Sequence, residues 1–309
     1  MKYIIENATT LFYGEKQKQS FLLDGAKVVY KSSHFSHFSH KRLNTDQFVI
    51  TPGHVMIDFD IMHITDFHVF KERMRHLHDL GCTTLITACE IEYEKQFQTK
   101  LKKAKHNLIN SSIDFVVGAR VPIKKLSTSL VRKCCRLRVP IIFVELNEVY
   151  DMYSVDWQWI RQELFPYHPL IVPIWNLNVS RRKLEGIKSE WSYLLNTNKV
   201  TTLTSVPNEH TPVSKQFLLN IGLYPKKGSL QGNCDADYLL FSKENLNHSV
   251  IDFESVRPEV VFANGKVKKA GSSIFIQPGI GKELEVIVPK QFVPINEAYE
   301  PSTVLLLDD

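Results

Sequence analysis

Residues 50–60, Ile-Thr-Pro-Gly-His-Val-Met-Ile-Asp-Phe-Asp (ITPGHVMIDFD), run from a Pro-Gly turn into an apolar strand that closes on two aspartates one residue apart. Residues two apart on a strand share a face, so Asp58 and Asp60 are expected to point the same way. Three roles suit such a pair: metal ligands, a catalytic acid pair, or the remnant of a lost site. Beyond this stretch, apolar runs of roughly 5–9 residues alternate with amphipathic helical segments. VMIDFDI precedes ITDFHVFKERMRHLHDLG, and TTLITACEI precedes EYEKQFQTKLKKAKHNLIN. IDFVVGARV precedes KKLSTSLVRKCCRLR, and VPIIFVELN precedes DWQWIRQELF. LIVPIWN precedes VSRRKLEGIKSEWSYLLN, and VTTLTSVPN precedes SKQFLLNIGL. Six βα units of this kind predict a parallel sheet covered by helices, either a barrel or a doubly wound sheet.

The flanks read differently. KYIIENATTLF, a polar break at GEKQKQ and SFLLDGAKVVY with an Asp24-Gly25 turn form an all-β start. GSLQGNCDADYLLFS, PEVVFANGKVKKAG and KELEVIVPKQFVPI form an all-β end, cut by Gly, Pro and Asn turns. The expected organisation is a composite β-sandwich of residues 1–50 and 225–309 beside an α/β domain of residues 51–224.

The chain has 309 residues, 43% of them hydrophobic, enough for a substantial core. It lacks an apolar run of the ~18–20 residues a membrane span needs, and the five cysteines include no C-x-x-C pair. A cytoplasmic protein without disulfides is expected. A net charge of +5 is gathered in KLKKAKH, RKCCRLR, SRRK and KVKKAG. On helices next to apolar positions these read as solvated faces, so nucleic acid is not expected as a partner. His34, His37 and His40 in SSHFSHFSHK recur every third residue, which fits no single strand face, and a polar loop is favoured over a metal site. Cys134 and Cys135 diverge by ~100° on a helix and read as core. Trp175 reads as core aromatic packing before pocket lining.

Four patterns, in order along the chain, resemble the amidohydrolase superfamily, the metal-dependent (β/α)-barrel hydrolases that include dihydroorotases, hydantoinases and adenine deaminases. KYIIENATTLFYG with FLLDGAKV resembles the first β-layer strands, VITPGHVMIDFD the entry into barrel strand one, LGCTTLIT strand two, and GSLQGNCDADYLLFS with PEVVFANGKVKKAG the return to the small β-domain. The resemblance implies a TIM-like barrel with a composite β-sandwich and chemistry at the C-terminal ends of the strands. The α/β part spans only about 174 residues against the ~250 of a typical eight-fold barrel, so an open or incomplete barrel lacking two βα units is expected.

Where the family places two histidines at the end of strand one, this chain has Asp58 and Asp60. Glu145 stands at or beside the strand-four position of the carbamylated lysine. The histidine strands and the final aspartate have no counterpart; VTTLTSVPNEHTP offers Asn208, Glu209 and His210 instead. Three implications stay open, the last of them metal-free acid/base chemistry by these same acids. Asp58, Asp60 and Glu145 hold a divalent metal such as magnesium, manganese or zinc, with His63 or His210 moving protons; or Arg120, near the end of strand three, pairs with these acids in place of the metal. The first implies a divergent hydrolase acting on C–N bonds of cyclic amides or nucleobase-like compounds. The second implies a degenerate homologue that binds a small molecule or protein partner, with homodimerisation as one way to close a shortened barrel.

Overall fold

The computed structural model describes residues 2–12, 15–245, 256–287 and 289. Strand β1 (Lys2–Phe12) pairs antiparallel with β2 (Glu15–Asp24), which turns into β3 (Lys27–Ser32); β4 (Lys41–Asn44) and β5 (Phe48–Pro52) both run parallel to β1. The expected polar break is the start of β2, where Gln17 and Lys18 pair with Thr10 and Thr9. Polar side chains on a solvated face do not end a strand when a neighbour takes its backbone bonds. The Asp24-Gly25 turn is present, with Gly25 at φ +58°.

The α/β part follows: β6 (His54–Ile57), α1 (Phe67–Asp79), β7 (Cys82–Glu90), α2 (Phe97–Asn107), β8 (Asp114–Pro122), α3 (Thr128–Arg136), β9 (Ile141–Leu146), α4 (Trp157–Leu164), β10 (Leu170–Trp175), α5 (Arg181–Thr197) and α6 (Lys215–Asn220). The chain then returns to β-structure in β11 (Tyr238–Ser242), β12 (Val260–Ala263), β13 (Lys266–Ala270) and β14 (Ser273–Ile274). The two terminal segments meet where β11 pairs antiparallel with β5, giving one nine-stranded sheet. Of the strand expected over KELEVIVPKQFVPI, residues 288 and 290–295 lie outside the described residues; Glu283 bridges to Phe115.

The parallel sheet has five strands in the order β10-β9-β8-β7-β6. Helices α1–α5 cover one face, where Met74, Leu101, Leu130, Ile160 and Trp191 meet Met56, Leu85, Val117 and Val144. The inner face carries Val55, Ile57, Ile86, Val116, Phe143 and Val172, filled by Phe217, Leu218 and Ile221 from in and beside α6. Burial from both sides explains why these strands read as continuous apolar runs. The sixth expected strand is reduced to one bridge, Thr202 to Ile171. Trp191 Nε1 donates to Thr202 Oγ1 at 2.7 Å and Trp175 Nε1 to Thr204 O at 2.7 Å, and the two indoles pack edge to face. From there the chain crosses to the free edge of β6, where His210 N donates to Ile57 O (3.1 Å) and Val213 N to Val55 O (2.9 Å). The result is a curled, incomplete barrel whose sixth helix lies inside it.

A buried ionic strut joins the two sheets. Lys227, its side chain 1% exposed, reaches Asp114 at 2.8 Å, Asp237 at 2.6 Å and Asp235 at 3.1 Å. Asn264 donates from Nδ2 to Asp114 and from its backbone to Asp237. The segment after β14 lies along the base of β8: Gly281 N donates to Ser111 O, Phe115 N to Lys282 O and Leu284 N to Phe115 O. A Cβ at Gly281 would stand 2.2 Å from Ile113 O. Gly281→Ala is therefore expected to cost about 2 kcal/mol through forced displacement of this segment. Urea unfolding of the variant against wild type measures it.

Candidate functional site

Fold geometry places chemistry at the C-terminal ends of parallel strands. Counting by twos from the inner-face residues Ile86 and Ala88, Val116, and Ile141 and Phe143 brings Glu90, Arg120 and Glu145 onto that face at the ends of β7, β8 and β9. They form one ionic group. Arg120 Nε donates to Glu145 Oε1 at 2.7 Å and Nη2 lies 2.6 Å from the same oxygen; Nη1 lies 3.4 Å from Glu90 Oε1. The guanidinium carbon stands 5.4 Å from the ring centre of Phe59, which packs edge to face on Phe143. His63 ends the turn Asp60–His63, with Nε2 at 3.6 Å from Glu90 Oε1. Arg120 thus pairs with Glu145 and with Glu90, a residue that strand alternation from Ile86 points to.

The two aspartates do not share a face. Strand β6 ends at Ile57 and the chain turns at Asp60, so the period of two stops at the residues where it was to be applied. Asp58 continues the side of Met56, facing α1, and is fully buried. Its Oδ1 accepts from Ile61 N at 3.1 Å, and its Oδ2 lies 3.0 Å from Arg73 Nε and 3.1 Å from His210 Nε2. The side chain of Asp60 is 76% exposed and meets the far end of Arg73, at 3.4 Å. Glu209, an exposed residue, accepts from Phe59 N at 2.9 Å. His210 packs on the His76 ring, whose pKa is lowered by burial first and then by His210, Arg73 and Arg257.

Donor atoms of Asp58, Glu209 and His210 lie within 4.8 Å of one another, as do those of Asp114, Asp235 and Asp237. The second group already holds the Lys227 ammonium. Asp60 and Glu145 join neither group; Glu209 and His210 come from the segment read as the last expected strand, and Arg73 carries no local signal of its part here. The His34, His37 and His40 loop brings no three donors together within that distance.

Among solved structures, this chain is similar to a D-hydantoinase at a TM-score of 0.63 and 11% identity, covering 93% of this chain and 99% of that one. The likeness is one of fold. A dihydropyrimidinase from Brevibacillus agri NCHU1002 has a TM-score of 0.56 at 12% identity, covering 93% of this chain and 99% of its own. The zinc complex of the atrazine chlorohydrolase from Arthrobacter aurescens TC1 has a TM-score of 0.53 at 10% identity, covering 89% and 96%. No protein-family model and no curated protein matches the sequence. Among the described residues, no helix is long and apolar enough to cross a membrane.

Proposed function

We propose that the chain is an amidohydrolase-fold protein without hydrolytic activity that acts by binding a small molecule or a protein partner. One observation carries this: at the strand ends, the inward-facing acids Glu90 and Glu145 are held by the chain's own cation, Arg120, at 3.4 and 2.6 Å. Two carboxylates on one face repel, and a neighbouring cation is needed to keep both ionised. A metal supplies that cation in a metallohydrolase; here a guanidinium does. The residues present do not fit the family's centre of paired imidazoles, bridging lysine and terminal aspartate, so no hydrolytic step is derived from it.

The second reading is a divergent hydrolase acting on C–N bonds of cyclic amides. It is favoured by the likeness to D-hydantoinase and dihydropyrimidinase folds and by the donor group Asp58, Glu209 and His210. Assays with hydantoin and dihydropyrimidine substrates in added zinc, manganese or magnesium separate the two. No turnover above the metal blank is expected. Turnover that disappears in Asp58→Asn would overturn the binding-protein reading. For the Arg120 group, Arg120→Gln is expected to cost about 1 kcal/mol, chiefly by leaving the part-buried Glu145 without its cation, and Glu145→Gln in that background to recover part of it. Chemical denaturation of the single and double variants checks the coupling.

A further inference from the structure

We infer that the outer groove between the turn Val149–Tyr153 and α5 is the docking surface for the segment 291–309 of this same chain. One stripe of α5 builds it. Arg182, Gly186, Glu190 and Tyr193 recur at three- or four-residue spacing and so share a face of the helix. Trp157 packs edge to face on Trp191 at 5.5 Å and Tyr153 Oη donates to Glu190 Oε1, which brings α4 and the turn alongside that stripe. A Cβ at Gly186 would meet nothing within 4 Å, so the stripe is open above it. The rest of the lining is aromatic and exposed: Tyr150 at 80%, Tyr153 at 50% and Tyr193 at 75%. Exposed tyrosine beside arginine is the composition of protein-binding hot spots.

The charge of the groove selects the occupant. Helix α5 opens on Arg181, Arg182 and Lys183, with no acid in its first turn and no side-chain bond from its N-cap Ser180. Cations at this end oppose the helix dipole, and its first N–H groups have no partner within the helix. Lys188 is held by Glu185 at 2.8 Å, whereas Arg182 and Lys183 enter no ion pair among the described residues. A second copy of the groove would bring the same cations and repel. Residues 291–309 have the opposite character: Glu297, Glu300, Asp308 and Asp309, no Lys, Arg or His, and the apolar run Val304-Leu305-Leu306-Leu307 directly before the last two acids. The described chain leads toward the base of the groove, where Tyr167 Oη, three residues past the end of α4, donates to Val286 O at 2.8 Å. The residues from there to Asp309 reach up to ~75 Å when extended, against ~17 Å from Tyr193 to Arg182 along the helix. Docking sets the leucines on the tyrosines and the acids on Arg182 and Lys183, at the rim of the strand ends. The inference goes beyond the proposed function, since a binding protein and a hydrolase can each carry this contact.

Hydroxyl-radical footprinting of the full-length protein, read by mass spectrometry, tests it. A tethered segment at an effective concentration of ~1 mM, with an intrinsic dissociation constant of ~0.1 mM, is docked in about nine-tenths of chains. Replacing Leu305, Leu306 and Leu307 by Ser is therefore expected to raise oxidation of Tyr150 and Tyr193 at least about threefold. Tyr93, 61% exposed and outside the groove, should not change. Arg182→Glu/Lys183→Glu should expose the same two tyrosines, and Asp308→Lys/Asp309→Lys in that background should restore their protection, a rescue that a merely disturbed helix would not show. Equal oxidation of Tyr150 and Tyr193 in wild type and the leucine variant would overturn the inference. A benzophenone amino acid at position 306 supplies a second measurement on the full chain. Crosslinks within one chain to residues 150–153 or 182–193 are expected, and crosslinks confined to another surface or to a second chain would overturn it.

Discussion

Lys227→Met is expected to lower stability by about 3–5 kcal/mol at pH 7.5, the range for removing one partner from a buried charge group. Three aspartates converge on this ammonium at 2.6 to 3.1 Å, and the lysine side chain is 1% exposed. Burial pulls the Lys227 pKa down, but Asp237, Asp114 and Asp235 outweigh it and hold the value above that of a free lysine. A lysine raised in the fold contributes fully below its unfolded value, so the strut is intact throughout the neutral range. The carboxylates divide. Burial outweighs Lys227 at Asp237 and raises it, whereas at Asp235 the cations Lys227 and Lys27 win against burial and lower it. With the ammonium gone, the acids are left to neutralise themselves by taking up protons. The loss in Lys227→Met should therefore shrink between pH 7.5 and pH 4. Urea unfolding at both values reads it, and a change below about 1 kcal/mol at pH 7.5 would show that the strut carries no net stability.

The wild-type protein should become acid-sensitive well above the range where carboxylates titrate. Burial lowers His54 to about 4 against the bond its ring makes with Leu80 O, and burial with the nearby Lys268 lowers His78 to about 3. Each is buried neutral, with His78 Nε2 at 2.8 Å from Ser112 Oγ. The unfolded chain binds these protons near pH 6.5 and the folded chain does not, so stability is complete above 6.5 and falls as the pH drops toward the folded values. At about 1.4 kcal/mol per unit, each histidine costs ~2 kcal/mol by pH 5, or ~4 kcal/mol for the pair. Urea midpoints at pH 7.5 and 5.0 measure the drop. A His54→Leu/His78→Gln variant should flatten the profile in that window, and an equally steep profile would assign the sensitivity elsewhere.

Sequence periodicity reaches far in this chain where burial is two-sided. Five of the six expected βα units are present because their strands are apolar on both faces. VTTLTSVPN failed as a strand because its hold on the sheet is one bridge, with two indole N–H groups rather than a ladder taking its acceptors. The place of α6 inside the barrel leaves no mark in its own six residues. At the site, Glu145 with Arg120 was readable from strand position, and Glu90 follows from the same alternation. Asp58 faces α1 instead of the inner face, since the turn that ends β6 is set by its own bond to Ile61 N. Arg73 reaches it from a helix, which no local pattern reports, whereas Glu209 and His210 stand in the segment read as the last expected strand.

The seam between β5 and β11 joins Pro52 to Tyr238. During synthesis the first strands must wait for a partner roughly 190 residues downstream, about 10–40 s at ordinary translation rates. Throughout that interval β5 presents an open edge to the cell, and the half-barrel can assemble before the sheet beside it closes. Until β11 emerges that edge is a template for pairing with another chain, and truncations before residue 238 prolong the exposure.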